Sequence, residues 1–138
     1  MKKSLEMNWQ GGMAFQAQLD GHQVIVDASL ENDGNDLGPR PKMLMLVALG
    51  GCTGMDVVSI LKKMRVEIES FTVKMEGNVT EEHPKHFDAL TLIYEFKGKE
   101  SDREKIQKAV DLSFERYCGV SAVYKKAMPM DYKIVIVE

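Results

Sequence analysis

The sequence predicts an α+β fold with antiparallel pairing. The first third alternates with period two around turn dipeptides. A long apolar segment opens on a proline and runs from about residue 41 to 65. The elements then follow in the order strands, helix, strands, helix, strand, not in the strand–helix alternation of a doubly wound sheet. The 138 residues are read as one domain, 1–138. That is enough chain to bury a core without a disulfide staple.

Ser4 to Trp9 alternates loosely and is read as a strand. Gly11-Gly12 is a turn signal. Met13 to Leu19 sets Met13, Phe15, Ala17 and Leu19 against Ala14, Gln16 and Gln18. Asp20-Gly21 is a hairpin turn dipeptide, and Gln23 to Ala28 is the returning strand. Residues 31–36 have loop chemistry. Gly38-Pro39-Arg40-Pro41 then punctuates the chain before a helix read over 41–65, with Pro41 in its first turn, where a missing N–H costs nothing. Met43 to Leu49 is apolar on every side and is expected to be buried all round. Beyond Cys52 a stripe of Met55, Val58, Leu61 and Met64 emerges, widened by Val57 and Ile60. Lys62, Lys63 and Arg65 suit the helix dipole.

Two strands are expected over 68–79 and 89–97, the second setting Leu90, Leu92, Tyr94 and Phe96 against Thr91, Ile93 and Glu95. A polar connection, residues 81–86, joins them. A second helix starts at a capping box of Ser101 and Glu104. It presents Ile106, Ala109, Val110, Ser113, Phe114 and Tyr117 on one face, with Gly119 as its stop signal. A short segment around 120–126 and a final strand over 132–137 complete the chain.

The net charge of −3 and pI near 5.7 leave no basic footprint for nucleic acid. The N-terminus has no apolar region after its lysines, so it does not read as a signal peptide. The most apolar run, 43–49, is too short to span a bilayer. These features predict a cytoplasmic protein that partners neither nucleic acid nor membrane. In a reducing compartment two cysteines are not expected to form a structural disulfide.

Cys52 sits in Gly50-Gly51-Cys52-Thr53-Gly54. Each glycine costs an otherwise good helix about 1 kcal/mol relative to alanine. Two reasons could require them: a close backbone approach by a helix or substrate, or a helix break that exposes the thiol to unpaired N–H groups and lowers its pKa. Cys118 lies at the end of the second apolar face, and only the fold can bring it to Cys52.

These motifs, Gly38-Pro39-Arg40-Pro41 with Ala48-Leu49-Gly50-Gly51-Cys52-Thr53, and Tyr117-Cys118-Gly119-Val120-Ser121, resemble the signature of the OsmC/Ohr family, and the order of elements matches over nearly the whole chain. The resemblance implies an intertwined homodimer, with antiparallel sheets of both subunits wrapped around two long central helices and active sites at the interface. It also implies thiol-dependent reduction of hydroperoxides. Cys52 would attack the peroxide and become a sulfenic acid, Cys118 would condense with it into a disulfide, and a dithiol reductant would restore the pair. The apolar surroundings of Cys52 point to organic hydroperoxides.

The chain departs from the family pattern where peroxidases carry an Arg in the first hairpin and a Glu after the helix-opening proline: Met13 and Lys42 stand there. Gly119 replaces a proline. Lys42 and Arg40 are the cations left to favour a Cys52 thiolate, although Lys42 lies ~15 Å from Cys52 along a straight helix. The competing expectation is a non-catalytic dimer that binds a small apolar ligand or electrophile in the same cleft. A redox-sensing thiol pair is a third. Asp56 is read as an interface or exposed residue, since a carboxylate beside a thiol raises its pKa. His83 and His86 fit no zinc spacing, and neither metal nor cofactor is expected. The methionines of the long helix are read as adaptable core filler.

Overall fold

The computed structural model describes residues 1–138. The chain divides into two compact units, Met1–Met45 and Leu46–Glu138.

In the first unit, β1 (Asn8–Trp9), β2 (Phe15–Leu19) and β3 (His22–Val26) form an antiparallel sheet in that order. The strand read over 4–9 shrinks to its last two residues. Asp20 and Gly21 both take positive φ, the conformation that a tight two-residue hairpin turn demands. After β3 the chain is organised by Asp27, which is 2% exposed. Its carboxylate accepts backbone N–H bonds from Ala28 (2.7 Å), Asn35 (3.2 Å) and Leu37 (3.1 Å). One acidic side chain thereby satisfies the donors of a loop that lacks a sheet partner.

Helix α1 (Pro41–Lys63) opens on its proline and is continuous through the glycines, so of the two reasons for them the helix break is absent. It closes with Arg65 in the left-handed conformation and Val66 N–H bonded to Leu61 O at 3.0 Å. By length and composition α1 could cross a bilayer. Its stripe Leu49, Thr53, Val57 and Leu61 is instead packed into the core of the second unit. Burial is therefore one-sided. Val47, Met55 and Val58 are 64%, 76% and 45% exposed. This corrects the expectations of a fully buried 43–49 run and of Met55 and Val58 as core, because within one chain only one side of α1 meets other elements.

The second unit pairs β4 (Ser70–Val79) antiparallel with β5 (Phe87–Lys97). Leu90, Leu92, Tyr94 and Phe96 of β5 are buried, as their alternation requires. β6 (Met130–Val137) pairs with β5 in parallel, unlike the antiparallel pairing expected. The cause is the connection. Helix α2 (Arg103–Leu112), a π-helical turn (Ser113–Tyr117) and α3 (Gly119–Ala127) form a helical crossover, which parallel neighbours need and which carries the chain back to the end where β5 began. The capping box does not form: Glu100–Asp102 makes a 3₁₀ turn, the Glu100 carboxylate pairs with Arg103, and Asp102 makes no capping bond.

Asp27 yields a pH-dependent prediction. Its backbone hydrogen bonds, that from Leu37 foremost, hold the carboxyl below its ordinary pKa. A lowered folded-state pKa gives stabilisation that is present above the unfolded pKa of about 4 and is lost as pH falls through the folded value. Asp27→Asn should lower the urea midpoint at neutral pH, and the gap to the wild type should narrow in acid. A gap that is independent of pH would contradict this origin.

Candidate functional site

The buried face of α2 begins as its sequence pattern predicts, with Ile106, Ala109 and Val110 at 0% exposure. One residue then enters the turn. Cys118 N–H bonds to Ser113 O at 2.8 Å, five residues back, in place of the usual four. The extra residue rotates the following positions around the axis. Tyr117, expected on the apolar face, is 55% exposed, while Cys118 is 3% exposed. Gly119, read as a stop signal, is instead the first residue of α3, and Cys118 is its N-cap.

This rotation delivers Cys118 to Cys52. The two Sγ atoms and a carboxylate oxygen of Asp56 lie within 4.8 Å of one another. Cys52 is partly buried and both cysteines are free. Cys52 and Asp56 are one helical turn apart, so they share a face of α1. Burial, opposed by the Ser121 backbone N–H, is the main cause that pushes the Cys118 thiol pKa up, and the neighbouring Cys52 adds to it. Ser121 donates that N–H to Sγ at 3.4 Å, and its buried hydroxyl, otherwise unpartnered, pulls the same way.

Behind the thiols runs a chain of buried hydroxyls. Thr53 Oγ1 lies 2.7 Å from Tyr94 OH and 2.8 Å from Ser113 Oγ, and Ser113 Oγ donates to Asp56 Oδ2 at 3.0 Å. Burial foremost pushes the Tyr94 pKa up to about 12, so the phenol keeps its proton. Sequence reading missed Thr53, Tyr94 and Ser113 as site residues and left Asp56 as interface or exposed. The available signal was polarity at core positions: Thr53 falls in the i, i+4 stripe of Leu49, Val57 and Leu61, and Ser113 in the apolar face of α2.

Beside Asp56 a cavity of about 530 Å³ is lined by Ser59, Ile60, Lys63, Leu112 and Tyr117. A groove of about 560 Å³ runs along Gly50, Gly51, Gly54, Met55 and Val58 to Phe71 and Val73. A Cβ on Gly50 would come within 2.8 Å of the Met75 side-chain tip, whereas one on Gly51 would meet nothing within 4 Å. The other candidates lie elsewhere. The Arg40 guanidinium pairs with Asp36 at 2.7 Å and donates to Gly38 O. Met13 is half exposed and Lys42 is exposed. His83 is outside the thiol cluster, and the His86 ring bonds Pro84 O.

The family model described as "OsmC-like protein" matches residues 32–133. Protein YhfA of Escherichia coli K12 is 34% identical over 132 residues, 95% of this chain and 96% of that one. A hypothetical protein from Aquifex aeolicus is similar in structure, with TM-score 0.81 and 27% identity over 100% of this chain and 99% of the other. An organic hydroperoxide resistance protein OsmC from Legionella pneumophila, described as a predicted redox protein, has TM-score 0.66 at 15% identity over 99% and 98%. At that identity the likeness is one of fold.

Exposure and thiol pKa together predict an order of alkylation. With limiting iodoacetamide at neutral pH, Cys52 should be modified before Cys118. Cys118 should react appreciably only above the ordinary thiol range, because its raised pKa keeps it protonated. Peptide mass mapping reads the order, and equal modification at neutral pH would refute it.

Proposed function

The chain belongs to the OsmC-like protein family, and on that premise we propose that it is a thiol-dependent peroxidase that reduces organic hydroperoxides through Cys52, with Cys118 as the resolving thiol. The observation that carries this reading is the placement of both sulfurs and Asp56 within 4.8 Å of one another by elements far apart in the chain. A Cys52 sulfenic acid formed there has the Cys118 sulfur within 4.8 Å of it for condensation to a disulfide. Cys118 stands at a helix N-terminus, where unpaired N–H groups favour an anionic sulfur as it attacks. The thiols pack against apolar side chains, which suits a hydroperoxide with a hydrocarbon body. A dithiol reductant of the reducing cytosol would complete the cycle.

The protein acts as a homodimer in this reading. Val47, Met55 and Val58, with Gly51 and Gly54 between them, form an exposed apolar face on α1, opposite the stripe that packs in the core. Apolar patches of this kind mark interaction surfaces. The open space over Gly51 leaves room for close approach by a second copy. A second reading, ligand binding without turnover, is favoured by one departure: Met13 and Lys42 stand where the peroxidases of the family carry the Arg and Glu that support the thiolate.

Two experiments test these statements. Purified protein supplied with cumene hydroperoxide and a dithiol should consume the peroxide. Cys52→Ser should abolish turnover, and Cys118→Ser should reduce it at least about tenfold. No consumption above the dithiol background would leave the binding reading. By sedimentation velocity the protein should run as a dimer that Val58→Arg shifts towards monomer, and a monomeric wild type would refute the dimer.

A further inference from the structure

The buried hydroxyl chain has a direction. Each hydroxyl carries one proton, and an ionised carboxylate only accepts. Ser113 Oγ has two acceptors, Asp56 Oδ2 at 3.0 Å and Thr53 O at 3.5 Å, and with its proton on the shorter contact the 2.8 Å contact with Thr53 is filled by a proton from Thr53 Oγ1. The 2.7 Å contact between Thr53 and Tyr94 must then be filled by a proton from Tyr94. All three protons point along one line, from β5 through α1 to the π-helical turn, and end on Asp56. That carboxylate stands beside both sulfurs and lines the 530 Å³ cavity.

A negative charge beside two thiols disfavours their thiolates, so Asp56 is poorly suited to the role a cation would play. Its oxygen, within 4.8 Å of both sulfurs, is instead placed to receive a proton from either. We propose that Asp56 is the proton acceptor of the thiol pair, held in place by Ser113, Thr53 and Tyr94 as positioning residues. The assignment rests on the peroxidase reading for its place in the cycle. As Cys52 attacks the hydroperoxide, an S–O bond forms and the O–O bond breaks. The thiol proton passes through Asp56 to the departing alkoxide, which leaves as the alcohol. As Cys118 attacks the Cys52 sulfenic acid, an S–S bond forms and the S–O bond breaks. Asp56 takes the Cys118 proton and returns it to the departing hydroxide as water. The dithiol then reduces the disulfide, becomes oxidised to its own disulfide, and supplies the two protons that restore both thiols.

A peroxide-free reaction isolates the step. With reduced protein and Ellman's reagent, Cys52 displaces one coloured aryl thiolate. Cys118 then attacks the resulting mixed disulfide and displaces the second, which requires the same loss of a proton from Cys118. Asp56→Asn should slow both releases, the second by at least about tenfold. Formate should restore the rate of Asp56→Ala in proportion to its concentration, and Ser113→Ala should slow the second release by a smaller factor. A carboxylate acting only through its charge predicts the reverse: Asp56→Asn would raise the thiolate population and speed the second release. An unchanged or faster second release overturns the assignment. So does a slow release in Asp56→Ala that formate fails to restore while the melting temperature has fallen. A wild type that completes both releases but consumes no hydroperoxide refutes the peroxidase reading and leaves Asp56 as the acceptor.

Discussion

The Thr53 hydroxyl, 1% exposed at the centre of the buried stripe of α1, is the interaction on which the rest of the site depends. Its bonds to Tyr94 and Ser113 tie α1 to β5 and to the π-helical turn. Such a link is directional in a way that apolar packing is not. A leucine at this position would be satisfied by many rotations of α1 about its axis, whereas a buried hydroxyl left unpaired costs about 1–3 kcal/mol. The bonds therefore select one rotation. Cys52 and Asp56 flank Thr53 on the same helix, so the rotation that satisfies Thr53 also aims them.

The second fixed point is the π-helical turn. It satisfies the backbone with one bond spanning five residues, and it moves Cys118 into the place that an uninterrupted α-helix would give to Tyr117. Extra residues of this kind often sit where a side chain must be aimed. Here Ser113, at the start of the turn, bonds Asp56, and Cys118, just past its end, meets Cys52. The turn thus carries both a contact to the carboxylate and the second sulfur, while Cys118 caps the next helix.

The glycines around Cys52 divide by cause. Gly50 faces the tip of Met75, which a Cβ would force to move, so part of the helix-propensity cost is offset inside the chain. Gly51 meets nothing within 4 Å, and its side of α1 is the apolar one that stays exposed. One motif therefore has two causes. Even the Val47, Met55 and Val58 positions, apolar enough to read as core, lie on a surface of the single chain, because hydrophobicity registers the need for a partner without saying which surface supplies it.

The sequence alone was enough for the local features: the alternation of β5, the Asp20-Gly21 turn, the proline that opens α1 and the start of the apolar face of α2. These depend on residues close together in the chain, where sterics and periodicity act directly. The same was true of the family motifs around Cys52 and Cys118. The tertiary structure decided the rest. The parallel pairing of β6 follows from where the helical crossover sets it down. The capping box yields to the 3₁₀ turn at Glu100–Asp102 and the Glu100–Arg103 pair. Above all, the meeting of Cys52, Asp56 and Cys118 depends on one extra residue in a helical turn and on three buried hydroxyls from separate elements. No local pattern encodes these, because each hydroxyl becomes a partner only when the others are packed against it.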